Sequence, residues 1–192
     1  MSNTSPTSLL LNAGHALDHL FLLIFATAVS AIAVEWGLSW QDLMPYTVGA
    51  FVIFGLGALP AGRLGDLWGR RRMMVIFFVG LGASGLLVAA TRGPISLAVA
   101  LTVMGVFTAI YHPVGIPMIV QNARNPGFTI GLNGLAGNLG IAFAALLTGF
   151  LVKYAGWRMA FIVPAVISMA CGALFAVVVP REDMPPAKRP KK

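Results

Sequence analysis

Six long apolar stretches alternate with short polar links along the 192 residues of the chain. A helix needs about 20 apolar residues to cross a hydrocarbon core of about 30 Å, and each stretch comes close to or exceeds that length. The pattern therefore predicts six membrane-spanning helices, which we number 1 to 6. Their expected bounds are residues 9–34, 40–61, 73–91, 95–120, 128–152 and 158–180. The remaining ends are an N-terminal tail, residues 1–8, and a basic, Pro-rich tail or linker start, residues 181–192.

The start of helix 2 carries a local signal of its own. Ser39 is followed three residues later by Asp42, a spacing that predicts a capping box at the helix N-terminus. Pro45 then falls in the first turns, where a missing backbone amide is tolerated. All four tryptophans also lie at predicted helix ends, where amphipathic rings favour the boundary between water and lipid. They are Trp36, Trp40, Trp68 and Trp157.

Composition supports a membrane protein and excludes several other classes. Hydrophobic residues make up 58% of the chain and charged residues 10%, against about 25% charged residues in soluble domains. The net charge is +7, but the basic residues lie in the short links and not on one polar face, so we expect lipid and not nucleic acid as the surroundings. Cys171 is the single cysteine, which excludes an intrachain disulfide or a CxxC site. No arrangement of nucleophile, base and oxyanion donors is recognisable, so we expect neither an enzyme nor a cofactor.

The distribution of Lys and Arg predicts the orientation in the membrane. With a cytoplasmic N-terminus, ten basic residues are inside and three outside, as the positive-inside bias requires. The inside set is Arg63, Arg70, Arg71, Arg72, Arg124, Arg181, Lys188, Arg189, Lys191 and Lys192. The outside set is Arg92, Lys153 and Arg158. Both termini are then expected in the cytoplasm, and the membrane is expected to be the inner membrane of the cell.

The link between helices 2 and 3 has an unusual composition. It reads Gly62-Arg63-Leu64-Gly65-Asp66-Leu67-Trp68-Gly69-Arg70-Arg71-Arg72. Glycines at its two ends permit tight or left-handed backbone, so the segment predicts a short turn. Asp66 is expected ahead of helix 3, where a carboxylate is favoured by the free amides and can pair with Arg70 or Arg71.

This segment resembles the signature between the second and third helices of the major facilitator superfamily of secondary transporters. The signature is written G-x-L-a-D-r-x-G-R-[KR]-x, and only Gly65 departs from it, in place of a small Ala. The resemblance implies an all-α membrane protein whose six helices form one half of a bundle, built from two inverted three-helix repeats. It also implies alternating access, with a gating role for Gly62, Asp66, Gly69, Arg70 and Arg71.

The same resemblance implies a partner. Transporters of this superfamily hold their substrate near the midplane between two six-helix halves, and this chain supplies one. The second half is expected as a second copy of the chain, as a separate chain, or as a missing C-terminal half. The alternative is a six-helix membrane scaffold or assembly factor that transports nothing.

Polar residues inside the predicted spans indicate a functional site, because they are costly in lipid. Four of them lie within about 120° of the helix 1 surface, namely Asn12, His15, Asp18 and His19. Helix 4 adds Tyr111 and His112, and helix 5 adds Asn133 and Asn138. Asp18 and His112 are each about 12 to 15 Å from the cytoplasmic end of their helix, so the two sites can meet. Helices 3 and 6, by contrast, are almost uniformly apolar, and such helices can face lipid.

Two further features belong to helices 4 and 5. Pro113 and Pro117 follow His112 and free backbone carbonyls, which are tolerated in a membrane beside protein or a water-filled cavity. We therefore expect a cavity wall there. Helix 5 carries a series of small residues that predicts close packing between helices. They are Gly131, Gly134, Gly137 and Gly140.

A narrower resemblance covers helices 1, 4 and 5. His15-Ala16-Leu17-Asp18-His19, Tyr111-His112-Pro113 and Gly134-Leu135-Ala136-Gly137-Asn138-Leu139-Gly140 are similar to the branch that contains fosmidomycin-resistance efflux proteins. That branch shows a Glu after the His-Pro pair of helix 4, whereas this chain has Val114. The resemblance implies efflux.

Three hypotheses for the polar cluster remain open. Asp18 can bind a proton that drives antiport, with the three histidines sharing hydrogen bonds around it. The cluster can instead be a structural network that locks helix 1 to helix 4. It can also bind a metal ion through His15, Asp18, His19 and His112, because imidazoles at i and i+4 reach one ion. The function expected from the sequence is secondary transport of a small solute, outward and with the proton as candidate coupling ion; a metal cation is the alternative cargo.

Overall fold

Six helices long and apolar enough to cross a membrane make up nearly all of residues 5–121 and 123–181, which the computed structural model describes. They are Pro6–Trp36, Trp40–Trp68, Arg70–Ala89, Pro94–Val120, Pro126–Ala155 and Trp157–Val178. The predicted number and order of helices 1 to 6 are confirmed. Predictions for residues 1–4 and 182–192 lie outside the described residues, including those for Lys188, Arg189, Lys191 and Lys192.

The predicted helix starts and ends are largely confirmed. Ser5 caps helix 1, accepting a hydrogen bond from the Ser8 amide at 3.2 Å. The Ser39 and Asp42 capping box is present, and Pro45 lies in a 3₁₀ turn, Met44–Thr47, that continues into the long part of helix 2. Each tryptophan is the first or last residue of a helix, as expected from their preference for the membrane boundary.

The link between helices 2 and 3 is much shorter than predicted. Helix 2 continues to Trp68 and helix 3 begins at Arg70, so the whole turn is Gly69 with φ of 90°. A side chain is disfavoured at that φ, which explains the glycine. Gly62 is helical and does not form the turn, and Asp66 lies in the last turn of helix 2, not ahead of helix 3. Both expectations were wrong because one residue suffices to reverse the chain.

Helix 4 is irregular in its C-terminal half. A regular stretch, Pro94–Thr108, is followed by a π-helical turn, Tyr111–Gly115, and then by Ile116–Val120. Pro113 and Pro117 have no amide to donate, so the usual hydrogen-bond ladder is interrupted there. A single π turn is a common way to accommodate such an interruption and occurs frequently at functional sites. It places Tyr111 and His112 on the side of helix 4 that faces helix 1.

The packing of the six helices repeats itself. Helix 1 packs against helices 5 and 6, and helix 4 packs against helices 2 and 3. If helices 1, 2 and 3 are exchanged for helices 4, 5 and 6, the first set of contacts becomes the second. Helix 3 packs directly on helix 6, a contact that the exchange leaves unchanged. The described bundle thus has the pairing expected of two three-helix repeats.

A glycine lies where helices 1 and 5 cross closely, and another lies at the equivalent crossing of helices 4 and 2. A Cβ placed on Gly140 of helix 5 would lie 2.7 Å from the Cα of Ala16 in helix 1. A Cβ on Gly105 of helix 4 would lie 2.9 Å from the Cα of Ala50 in helix 2. Gly137 and Gly140 therefore confirm the predicted packing surface, whereas Gly131 and Gly134 face open space within the described chain. For those two, close packing stays a prediction.

Burial is unevenly shared among the helices. Of the most apolar stretch of helix 3, 61% is buried, so most of the surface of helix 3 faces other helices and not lipid. Helices 3 and 6 bury one another because small residues such as Gly82 and Gly172 let them approach closely. Helix 6 is 33% buried. The corresponding buried shares are 11% for helix 2 and 22% for helix 5, which leaves both mostly uncovered.

Candidate functional site

Polar side chains from three helices meet in the middle of the otherwise apolar bundle. The Tyr111 hydroxyl donates to the backbone carbonyl of Leu11 at 2.7 Å. The same hydroxyl accepts from Nδ2 of Asn133 at 2.8 Å, and that amide also donates to Oδ1 of Asn12 at 2.9 Å. Tyr111 and Asn133 are buried and Asn12 is partly exposed. This network joins helices 1, 4 and 5, as the sequence predicted.

Three imidazoles lie beside that network. His15 Nδ1 is 2.8 Å from the backbone carbonyl of Asn133, so Nδ1 carries the hydrogen and Nε2 keeps a lone pair. His19 Nε2 is 3.1 Å from that Nε2, one helical turn further along helix 1. The His112 ring approaches both edge-on, with ring centroids 5.2 Å from His15 and 5.5 Å from His19. The Tyr111 ring stacks on His15 at 4.8 Å.

Asp18 occupies the driest position of the site. Its side chain is 0% exposed, and neither carboxyl oxygen has a hydrogen-bond partner among the described residues. The closest polar group is Nδ1 of His112, 3.5 Å from Oδ2. A buried carboxyl without donors is costly if it is ionised, unless a cation compensates it.

The floor and walls of the site come from helices 2 and 5. A Cβ on Gly137 would lie 2.8 Å from Cε1 and 2.9 Å from Nε2 of His15, so this glycine makes room for the imidazole. Phe54 of helix 2 meets the His112 ring at 5.9 Å between centroids. The His112 side chain is 36% exposed, which leaves a route to the cluster between helices 2 and 5.

Seven of the eight predicted site residues come together in this cluster. They are Asn12, His15, Asp18, His19, Tyr111, His112 and Asn133. Asn138 is exposed on another side of helix 5 and is not part of the described cluster. For metal binding, His15, His19 and His112 each offer a ring nitrogen and these lie within 4.8 Å of one another, whereas Asp18 stands behind His112.

The segment that holds the expected gate residues makes two kinds of contact. Gly62 and Gly65 seat helix 2 on the π turn, since a Cβ on either would lie 3.3 Å from Pro113 or 3.1 Å from Val114. Asp66 is 65% exposed and pairs with Arg70 at 3.9 Å, while Arg70 also donates to Gln121 at 3.1 Å. The signature thus contacts the helix that carries His112.

Arg71 has a different contact from the one that the sequence suggested. Its guanidinium donates to the backbone carbonyls of Val179, at 2.6 Å, and of Ala176. These are free carbonyls at the C-terminal end of helix 6, where a cation is favoured. Arg71 therefore joins helices 3 and 6 and does not pair with Asp66.

Sequence reasoning missed a second ionic cluster at the end of the bundle where helix 1 ends and helix 6 begins. Glu35 accepts hydrogen bonds from Trp157 Nε1 and Arg158 Nη1, each at 2.8 Å, and the Arg158 guanidinium lies 4.2 Å from the centre of the Trp157 ring. Arg158 also reaches the Thr91 carbonyl at 3.4 Å. The lone acidic residue at the end of helix 1 was the available signal, but its partner is 123 residues away.

Comparison with known proteins agrees with this architecture. The family model described as Major Facilitator Superfamily matches residues 11–192. The probable actinorhodin transporter of Streptomyces coelicolor is 30% identical over 181 residues, which is 91% of this chain and 31% of that protein. The puromycin resistance protein of Streptomyces alboniger is 32% identical over 74% of this chain and 29% of that protein.

A further relative is the tetracenomycin C resistance and export protein of Streptomyces glaucescens. It is 24% identical over 188 residues, which is 97% of this chain and 35% of that protein. The chain thus spans about a third of the length of these curated relatives. Because the family model covers nearly the whole of the six-helix bundle, the chain belongs to the Major Facilitator Superfamily.

Proposed function

We propose that this chain forms the N-terminal half of a secondary transporter that exports a small organic solute by alternating access. The observation that carries the proposal is the polar cluster of helices 1, 4 and 5, placed within an apolar bundle and open at His112. Polar groups in a membrane interior mark substrate or ion paths. The ring faces of Tyr111, Phe54 and the histidines add the apolar contact that small-molecule sites use.

The direction is proposed from the relatives. One is named as an export protein and another as a resistance protein, and both align with most of this chain. We extend outward transport to this chain on that basis. The solute itself is left to experiment, since hydrogen-bonding groups define a capacity and not a ligand.

A second six-helix half is part of the proposal. Helices 2 and 5 carry many exposed large apolar side chains, among them Leu56 at 68%, Leu59 at 84% and Leu146 at 69%. The relatives are about three times as long as this chain, so their additional length can supply such a partner. We propose that the second half covers helices 2 and 5 and closes the site from the side of His112.

A vesicle assay tests this function directly. Membrane vesicles that contain the chain together with its second half are loaded or incubated with actinorhodin, puromycin and tetracenomycin C as probes. We expect energy-dependent movement of at least one probe, lowered at least tenfold in Asn133→Ala and unchanged in Tyr154→Phe, which alters an exposed ring outside the cluster. A stable complex that moves none of the probes would instead support the scaffold alternative.

Proton coupling is a separate prediction from the sequence. In proteoliposomes with an imposed pH gradient, Asp18→Asn is expected to abolish pH-dependent flux while the protein remains folded. Unchanged pH-dependent flux in this variant would contradict the coupling role. Export without any pH dependence would leave the proposed transport function intact and remove only the proton.

The proposed location is the inner membrane with both termini in the cytoplasm. In that orientation the Asp66 and Arg70 pair faces the cytoplasm and the Glu35 and Arg158 pair faces outward. Single cysteines introduced at Asp66 and at Arg92, in a Cys171→Ser background, can be labelled with a membrane-impermeant maleimide in intact cells. Labelling at position 92 alone is expected, and labelling at position 66 alone would reverse the orientation.

A further inference from the structure

We propose that His15, His19 and His112 form a binding site for one divalent first-row transition metal ion such as Zn²⁺. The three ring nitrogens lie within 4.8 Å of one another among the described residues. Two nitrogen ligands of a tetrahedral zinc, each about 2.0 to 2.1 Å from the ion, lie about 3.3 Å apart. His15 Nε2 and His19 Nε2 already stand at 3.1 Å. A small movement of the His112 ring completes three ligands.

The hydrogen bonds behind the imidazoles favour the metal-binding form. His15 donates from Nδ1 to the carbonyl of Asn133, which leaves Nε2 free of hydrogen and directed at His19. His112 presents Nδ1 to the carboxyl of Asp18 at 3.5 Å, which leaves its other nitrogen for a ligand. Histidines that bind metals characteristically donate their second N–H to a carbonyl or a carboxylate. His15 has this support from a carbonyl, and the Asp18 carboxyl stands 3.5 Å from Nδ1 of His112, where it would supply the second kind once an ion is bound.

A second observation independently points to a cation. The Asp18 carboxyl is completely buried, and neither of its oxygens has a hydrogen-bond partner in the part of the chain that the structure describes. A divalent ion on His112 would place positive charge next to this carboxylate, which compensates its burial. The ion replaces the hydrogen that His19 shares with His15, and the His19 proton moves to its other ring nitrogen. This step needs no further reactant.

The ligand set selects the chemical class of the ion. Neutral imidazoles suit zinc, copper and nickel, whereas magnesium and calcium prefer oxygen ligands. The entry route is the partly exposed edge of His112 beside Phe54. A bound ion would tie helix 1 to helix 4. This holds whatever solute the complete transporter moves, so the metal site does not depend on the proposed function.

Calorimetry and spectroscopy on the detergent-solubilised 192-residue chain test the site without any transport step. The chain is purified with a tag that contains no histidine, and its three histidines are then the only imidazoles present. We expect one Zn²⁺ per chain and no heat with Mg²⁺. Co²⁺ should give the intense visible absorption of a tetrahedral site, and X-ray absorption should show imidazole ligands.

Variants distinguish this site from adventitious binding. His19→Gln and His112→Gln should each weaken Zn²⁺ affinity at least tenfold, and Gly137→Ala should weaken it because the new methyl meets the His15 ring. Cys171→Ser removes the only thiol and Asn138→Ala alters an exposed amide, and both should bind as wild type does. Asp18 acts here as a positioning residue for His112, so Asp18→Asn should weaken Zn²⁺ affinity about 10- to 100-fold.

The opposite results would overturn the proposal. The wild-type chain would then bind no Zn²⁺, or bind Mg²⁺ as tightly as Zn²⁺, or both histidine variants would bind Zn²⁺ with unchanged affinity. Because a histidine variant can fail to fold, imidazole ligation in the wild-type X-ray absorption spectrum is the deciding measurement, and its absence rejects the site. Loss of solute flux in vesicles with metal binding preserved would reject the proposed function alone.

Discussion

The Tyr111 hydroxyl joins three helices through its hydrogen bonds. It donates to helix 1 at Leu11 and accepts from helix 5 at Asn133, while its own ring belongs to the π turn of helix 4. Each of these groups would otherwise be a polar atom in an apolar interior. The hydroxyl therefore holds helix 4 against helix 1 and fixes the side chain of Asn133, whose backbone carbonyl accepts from His15.

Removal of this hydroxyl should loosen the cluster by a measurable amount. We expect Tyr111→Phe to lower the free energy of unfolding by about 1 to 2 kcal/mol, because a buried acceptor and a buried donor lose a partner. The matched control is Tyr154→Phe, whose ring is 66% exposed on helix 5, with no expected change. Unfolding by SDS in mixed micelles measures both. Equal stability of the two variants would show that the Tyr111 network contributes nothing.

Much of this site could be predicted at the level of residue types. Polar residues on one face of helix 1 and near prolines of helix 4 are costly in lipid, so their meeting was foreseeable. The pattern could not assign individual contacts, since His15 finds its acceptor on the backbone of Asn133 and not on a side chain. Asn138 was misplaced for a similar reason. It lies 5 residues beyond Asn133, which on a helix of 3.6 residues per turn is about 140° away.

At the scale of the helices, Arg71 acts as a cap for a helix that is distant in sequence. Its guanidinium satisfies the carbonyls of Ala176 and Val179 at the end of helix 6, more than 100 residues further along the chain. Its neighbour Arg72 is exposed and makes no such contact among the described residues. The two arginines are therefore a matched pair for experiment.

Arg71→Ala should destabilise the protein and Arg72→Ala should not. Hydrogen bonds to a charged donor contribute about 1.5 to 3 kcal/mol when their partners are shielded, so we expect a loss of about 1 to 3 kcal/mol for this half-buried group. The same SDS unfolding assay measures both variants. A larger loss for Arg72→Ala than for Arg71→Ala would contradict the capping role.

The close crossing of helices 1 and 5 allows a second comparison at this scale. Gly140→Ala places a methyl against the backbone of Ala16, which cannot move without shifting helix 1. We expect a loss of about 1 to 3 kcal/mol in the free energy of unfolding. Gly131→Ala on the same helix meets open space and should be neutral or stabilising by up to about 1 kcal/mol. Thermal unfolding in detergent, followed by circular dichroism, compares the two.

Helix number and order follow from the sequence because lipid imposes length and hydrophobicity on every span. The reversal between helices 2 and 3 did not follow, since a run of glycine and charge reads as a loop until Gly69 is seen to make the turn alone. The burial of helix 3 was also hidden. Apolar residues are equally compatible with lipid and with a neighbouring helix, so composition cannot distinguish the two.

For the whole molecule, the signature segment should govern the rate of the conformational change and not the affinity for solute. Asp66 lies in the last turn of helix 2 and Arg70 begins helix 3, and Arg70 also contacts Gln121 at the end of helix 4, away from the polar cluster. We therefore predict that Asp66→Asn or Arg70→Ala lowers the turnover number of the complete transporter with little change in solute affinity. Flux in vesicles and equilibrium solute binding separate the two quantities. A change confined to affinity would contradict this role.

The long sequence separation within the polar cluster has a consequence for biosynthesis. His15 in helix 1 takes its hydrogen-bond acceptor from Asn133, 118 residues later. At about 5 to 20 residues per second, the ribosome needs about 6 to 24 s to deliver that acceptor after His15 has been made. During this interval helix 1 carries a carboxyl and two imidazoles without their final partners. Helix 1 thus obtains the partners of its polar side chains only after helices 4 and 5 have been made.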